Sequence, residues 1–577
     1  MSDHTLKQKG ISLYYQVETH IREKIESGEW ALGSRLPTEN ELAQHFNVSR
    51  TTVRQAVDGM IEAGLLTRRQ GSGTYVVKSP YARNRLNTQP SDTVCKYVYM
   101  PFLQDDLKRS YQNLLLTIIG HILMLHRQKL ITREDGQELL RFILPLMDRH
   151  AYTIGSNPLN EDCFLNFEQY LISNLGLKLG SKILIARSRN DMTPTMMRMS
   201  VRDGLLVVYA RLMALMRRIL ALAEENQGRV ITGYTHWQPA QPITLDHYFL
   251  AIAEALERDF ARLLNAYQRL NLSPLGSCAF AGTSYMIDRE YTARLLGFDG
   301  IVANTLDAVA SRDFLMELSA DFSTLGSTIA RFSQDLYLWS TAEFGYVSFS
   351  DSTSCCSSIM PQKKNPLSAE HIKSRTAHLS SAYMDIVMCL KGTVYSHSRD
   401  LFECMPPFWN CMEQMTSILE LTLDMLHGIV FNYDRMERLA DTNNSVLTDV
   451  SDFLERRGEF PFRSAHNIVA LAISESAAKQ RAGIALSDLN YISQKVYGHD
   501  TSITGEEWAA LMSAHNSVSN KASEGSPSPG SCRKMFLSLR ATVNRDGECL
   551  DQLLNSLQLS EQFRLEQINA LMNSTAN

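Results

Sequence analysis

Apolar residues along the 577-residue chain fall into two patterns of different grain. Over residues 14–26, Tyr14, Val17, Ile21 and Ile25 recur at helical spacing, and Gly28 and Gly33 predict where that helix ends. Thr38 is a candidate N-cap for a short helix over 39–46, Asn47-Val48 a turn, and Ser49 the cap of a third helix running to Ala63. Residues 65–69 and 73–77 read as two strands joined through Gln70-Gly71-Ser72. From about Tyr97 the grain lengthens. Helical spacing persists through 201–225, 245–272, 303–343 and 369–390. At 1.5 Å per residue the 303–343 span predicts a helix of about 60 Å. Such a helix points to a bundle core shared between subunits. Residues 79–92 (SPYARNRLNTQPSD) are polar and aperiodic, the composition of a linker. The organisation expected is a head at 1–78, a linker at 79–96 and a helical domain at 97–577, mainly α.

Composition narrows this only slightly. There are 57 Lys+Arg against 62 Asp+Glu, a net charge of -5, with 44% hydrophobic residues. That excludes a largely disordered chain. The best candidate for a membrane span, 204–223, carries Arg211, Arg217 and Arg218 where a bilayer needs about 20 apolar residues. No membrane association is expected. MSDHTLKQKG has no apolar core of a signal peptide, so the expected location is cytoplasmic. Ten cysteines without a C-x-x-C pair suggest neither disulfides nor zinc. No Gly-rich phosphate loop or metal-ligand spacing appears, so no cofactor or metal is expected.

The head has a short helix, a tight turn and a second helix whose first turn is Ser49-Arg50-Thr51-Thr52-Val53-Arg54. This is a helix-turn-helix order, because a recognition helix needs a polar, basic N-terminal turn to meet bases and phosphates. The two strands make a wing with Arg68 and Arg69 available to phosphates. The stretch LPTENELAQHFNVSRTTVRQAVDGMIEAGLLTRRQGSGTYV resembles the winged-helix domain of the GntR family of bacterial regulators. The resemblance implies that Ser49, Arg50, Thr51, Thr52 and Arg54 face operator DNA. It also implies Arg35 on phosphate and Gln70-Gly71 at the wing tip. Reading a pseudopalindrome would require at least a dimer.

Four polar clusters are expected at the ends of long helices in the second segment. They are Ala186 to Asp191 (ARSRND), Gly233 to Gln238 (GYTHWQ), Ser273 to Ser277 (SPLGS) and Ser357 to Pro366 (SSIMPQKKNP). Together they offer hydroxyls, amides and cations, groups that bind a small dicarboxylate and move protons beside it. GYTHWQPAQP, SPLGSCAFAGT, NTLDAVASRDF and SSIMPQKKNP resemble argininosuccinate lyase within the fumarase/aspartase superfamily. PFRSAHNIVA resembles its C-terminal region. The resemblance implies a long-helix bundle, a homotetramer and active sites drawn from three subunits. It implies cleavage of a C–N bond that releases fumarate from argininosuccinate or a related N-succinyl compound. Ser357 would be the base, aided by Lys363, and His236 the acid, oriented by Glu370. Ser188, Arg189, Asn190, Thr235, Gln238 and Asn365 would surround the carboxylates.

Several positions depart from that family. Cys356 stands where the family has Gly, in a loop that closes over substrate. Phe164 follows Glu161-Asp162-Cys163 where the family has His, and Met192 replaces a Gln. His397-Ser398-Arg399-Asp400 replaces a Tyr-Asn-Arg-Asp stretch, with Phe402 and Met405 at Gln and Lys positions. The fumarate end is kept and the arginine end rewritten, so argininosuccinate is expected to bind poorly. Two alternatives follow: a lyase fold that senses a ligand without turnover and controls DNA binding, or a head that only tethers an ordinary lyase.

Overall fold

In the head, Val17 and Ile21 of α1 (Leu13–Glu26) close on Leu42 and Phe46 of α2 (Glu39–Phe46) and on Val53, Val57 and Met60 of α3 (Arg50–Glu62). The computed structural model describes residues 12–26, 29–31, 33–62, 65–76, 90–481 and 483–573. A capping box opens α2: Thr38 Oγ1 accepts the Glu41 N–H at 3.3 Å, and Glu41 accepts the Thr38 N–H at 2.6 Å. Asn47 closes it in the left-handed region at φ 51°. Ser49 Oγ accepts the Thr52 N–H at 3.1 Å and starts α3. Antiparallel β1 (Leu66–Arg69) and β2 (Gly73–Val76) form the wing, in register from Leu66↔Val76 to Arg69↔Gly73.

Residues 77–89, most of the expected linker, lie outside the described residues. Ser91 accepts the Val94 N–H at 3.3 Å, so helix begins at Asp92, inside the span read as linker. α4 (Cys163–Leu175) then leads to the bundle: α5 (Arg189–Glu225), α6 (Leu245–Leu270), α7 (Asp313–Trp339), α8 (Leu367–Leu390), α9 (Met405–His427) and α10 (Pro529–Asn573). α7 packs on α8, α8 on α9, and α5 on α6, α9 and α10. On α7 the buried Phe314, Leu318, Phe322, Leu325, Ile329, Phe332 and Leu336 repeat every three or four residues. Burying each such side chain contributes about 1.5–3 kcal/mol.

The expected single helix over 303–343 is instead two, Thr305–Ala310 and α7. Ser311 is extended (ψ 130°), and the buried Arg312 guanidinium donates to the carbonyls of Val309 and Ser311 at 3.2 and 2.7 Å. The arginine ends one helix and sits before the next, so α7 spans about 40 Å. Among the described residues no helix is long and apolar enough to cross a membrane, and no cluster of His, Cys, Asp and Glu could hold a metal ion.

Candidate functional site

On the head, Arg35, Arg50, Arg54, Arg68, Arg69, Gln70 and Gly71 line one concavity of about 430 Å³ with Thr38, Glu39 and Asn40. Gly73, at φ 115°, lets Arg35 lie against the backbone; a Cβ there would meet Arg35 Nε at 2.6 Å. Arg69 stacks over Tyr75 at 4.7 Å. Arg68 is not free as the sequence suggested. It pairs with Glu39 at 3.1 Å and Asp58 at 2.8 Å. Ser49 and Thr52 hydroxyls lie 2.8 Å apart, and Thr51 is exposed.

In the helical domain, Asp191 joins two clusters. Its Oδ2 accepts the N–H groups of Gly276 and Cys278, both at 2.9 Å, and its Oδ1 accepts the Ser188 N–H at 3.0 Å. Burial pushes its carboxyl up to about 6, against the pull of those backbone N–H groups. Ser188 caps α5, its hydroxyl accepting the Asn190 N–H at 3.3 Å. The Asn190 amide donates to the Ala279 carbonyl at 3.0 Å. Arg189 pairs with Glu161 at 2.7 Å and Asp162 at 2.9 Å. Asp162 also caps α4, accepting the Leu165 N–H at 2.8 Å, and near the other end of α4 Ser173 accepts a hydrogen bond from Tyr15 of the head.

The second cluster ends no helix. It is the tip of a hairpin, β3 (Val230–Thr235) against β4 (Gln238–Thr244), with Thr235 paired to Gln238. His236 and Trp237 fill the two-residue turn at φ 52° and 61°, the left-handed pair that a type I′ turn requires. Each such residue costs about 1–2 kcal/mol without a Gly. Thr235, His236, Trp237 and Gln238 are all exposed, Trp237 at 58%.

The fourth cluster is a loop closed by pairing of Cys355 with Asn365 and Cys356 with Lys364. Ser357 Oγ accepts the N–H groups of Ile359 at 3.4 Å and Met360 at 3.0 Å. Lys363 is exposed, and Lys364 is held by Asp351 at 2.6 Å and the Phe349 carbonyl at 2.7 Å. Asn365 donates to Cys355 Sγ at 3.5 Å. Glu370 is exposed on the first turn of α8. His236 is likewise exposed, on the hairpin tip. The structure therefore brings the first and third clusters together and leaves His236 and Ser357 on separate exposed elements.

Four of the rewritten positions gather around cations. Phe164 lies 5.0 Å from the Arg187 guanidinium, and Met192 takes its Nη2. Arg187 Nε and Nη1 are buried without a partner, and burial lowers that guanidinium to about 10. Arg399 sits between the rings of Phe102 at 4.3 Å and Phe402 at 4.8 Å. His397 packs edge-on against Phe402; burial, then Arg312, Arg189 and Arg399, lower its imidazole to about 4. Asp106, which no sequence signal marked, is pushed up to about 8 by burial and then by Asp162 and Asp105.

Residues 133–379 match a family described as Lyase, and residues 13–76 match bacterial regulatory proteins of the gntR family. Argininosuccinate lyase 1 of Shouchella clausii (strain KSM-K16) is 34% identical over 482 residues, 83% of this chain and 97% of that protein. This chain belongs to the argininosuccinate lyase family, behind a gntR-family head. Argininosuccinate lyase of Methanocaldococcus jannaschii is 32% identical, covering 84% of this family member and 98% of its own length. An EDDS lyase variant with bound fumarate superposes with a TM-score of 0.75 at 27% identity, over 81% of this chain and 93% of that one.

Proposed function

We propose that the chain is a DNA-binding regulator whose lyase-family domain cleaves a C–N bond in an N-succinyl compound and releases fumarate. The observation that carries the chemistry is the position of Ser357 Oγ, which receives two loop N–H groups. Those donors stabilise the alkoxide more than the hydroxyl, which is what a serine base needs. Ser357 takes the proton beside a carboxylate, and His236 protonates the departing nitrogen. Ser188, Arg189, Asn190, Thr235, Gln238, Lys363 and Asn365 surround the carboxylates, while Asp191 holds the first and third loops at fixed spacing. That a related EDDS lyase variant holds fumarate supports the same four-carbon product here.

The site is completed by other copies of the chain. His236 and Trp237 stand at an exposed, strained tip, and Val207, Met384, Met388 and Leu554 expose apolar surface on bundle helices. A homotetramer covers such surface. We place the DNA-facing side at Arg35, Ser49, Arg50, Thr51, Thr52, Arg54, Gln70 and Gly71. Regulation is supported by α4, which reaches from Asp162 beside Arg189 to Ser173 against Tyr15 of the head. A ligand that shifts α4 shifts the head only to the extent that it binds two states differently.

A second reading, a ligand sensor without turnover, is favoured by the apolar rewriting around Arg187 and Arg399. Ultraviolet detection of fumarate released from argininosuccinate, EDDS and N-succinyl amino acids separates the two. Turnover that disappears in Ser357→Ala supports the lyase; binding of these compounds without any turnover supports the sensor.

A further inference from the structure

One carboxylate on the head holds three guanidinium groups. Glu39, the first residue of α2, accepts from Arg50 Nε at 3.1 Å, from Arg54 Nε at 3.1 Å and Nη2 at 2.9 Å, and from Arg68 Nη2 at 3.1 Å. The acid side chain is 16% exposed, whereas the three arginines are 59%, 52% and 45% exposed. The carboxylate is thus the hub of a fan and the guanidinium groups its rim. Arg54 foremost, then Arg50, holds the Glu39 carboxyl below the usual carboxylate range. The hub joins two elements of the reading surface, the first turn of α3 and wing strand β1.

Arginine reads a base by presenting a planar fork to two acceptors on its edge, so the direction of the fork carries the sequence information. A phosphate contact needs charge within reach and little direction. An exposed arginine loses much rotamer freedom on binding unless something already orders it. We propose that Glu39 is a positioning residue that sets the fork directions of Arg50, Arg54 and Arg68 for base reading. It does so while withholding positive charge from the phosphates. The inference rests on the head reading DNA, as proposed above, and adds which acid sets its selectivity.

A simple internal competitor would behave differently. Its removal would strengthen binding to every duplex alike. Removing a positioning acid strengthens non-selective binding and weakens discrimination. Asp58 supplies the control, since it pairs directly with Arg68 at 2.8 Å, from a side chain that is 46% exposed, and reaches Arg54 only through its charge.

The full-length protein is first used to enrich a sequence from random duplexes. The affinities of the enriched duplex and a scrambled one are then measured against salt for wild type, Glu39→Gln and Asp58→Asn. In Glu39→Gln the ratio of the two affinities falls about tenfold or more, the discrimination one bidentate pair supplies. The logarithmic salt slope on the scrambled duplex steepens by about 0.9, one further phosphate contact. Asp58→Asn steepens the slope and keeps the ratio. A wild-type ratio in Glu39→Gln overturns the proposal, as does an equal loss of ratio in Asp58→Asn. Should Glu39→Gln unfold the head, Glu39→Asp keeps the charge but draws it back by one methylene, and the ratio falls with no change of slope. An unchanged ratio there overturns it too. Failure of the wild type to enrich any sequence instead overturns the reading of the head as sequence-selective.

Discussion

Asp191 accepts the backbone N–H of Cys278 at 2.9 Å, with the same oxygen that takes the N–H of Gly276. One buried carboxylate therefore sets the distance between the loop that starts α5 and the loop that follows α6. Its folded-state carboxyl titrates at about 6 instead of near 3.8 because of burial. Below about pH 6 the folded protein binds a proton there that the unfolded chain takes only near 3.8. This group's contribution to stability thus falls as pH rises from 3.8 to 6 and is constant above. Acidification through 6 should not unfold the protein through Asp191, yet it turns an acceptor into a donor and loosens the tie. Turnover is expected to fall with an apparent pKa near 6, while Asp191 causes no fall in melting temperature. Asp191→Asn should lose turnover at every pH and cost roughly 2–4 kcal/mol, measured by denaturant unfolding.

Arg187 has two buried N–H-bearing atoms without partners beside Phe164 and Met192. Returning polar groups through Phe164→His with Met192→Gln should stabilise the protein by about 1–3 kcal/mol, read as a rise in denaturation midpoint. The same double variant should bind argininosuccinate more tightly than the wild type. Unchanged stability would place the Arg187 donors on partners supplied by another copy.

At the hairpin tip, Trp237→Gly removes a left-handed non-glycine residue and should not lower protomer stability, since relief of about 1 kcal/mol offsets the lost side chain. If Trp237 anchors a neighbouring copy, the assembly should weaken, which sedimentation velocity across a dilution series detects. His236→Asn suits the same dihedrals. It should keep the fold and lose at least about a hundredfold in turnover.

Tyr15 of the head donates to Ser173 near the end of α4. Tyr15→Phe should leave both duplex affinity and turnover near wild type but shrink the change in duplex affinity caused by a bound N-succinyl ligand. Fluorescence anisotropy with and without ligand measures it.

The helices of the head and most of the bundle were legible because burial repeats at 3.6 residues, as Phe314 to Leu336 do on α7. The break before α7 was not, because Ser311 and Arg312 leave apolar periodicity intact, and the extended Ser311 and the inward turn of the Arg312 guanidinium leave no mark on it. The cluster around His236 hid a hairpin, since a His-Trp pair carries none of the Asn-Gly signal usual for such a turn. Resemblance named Ser357 and His236 as partners in a site drawn from three subunits, and within one protomer they stand on separate elements, the loop before α8 and the hairpin tip being far apart in the chain. Asp106 and the Glu39 hub escaped notice for a related reason: isolated acids acquire meaning only from residues distant in the chain that fold around them.

The most direct test of a site shared between copies is complementation. Ser357→Ala and His236→Asn protomers, each inactive alone, are co-expressed with different tags, and doubly tagged assemblies are assayed for fumarate release. Mixed assemblies are expected to regain turnover, because some sites then draw serine and histidine from intact copies. Mixed assemblies as inactive as either parent, with both variants folded and assembled, would contradict it.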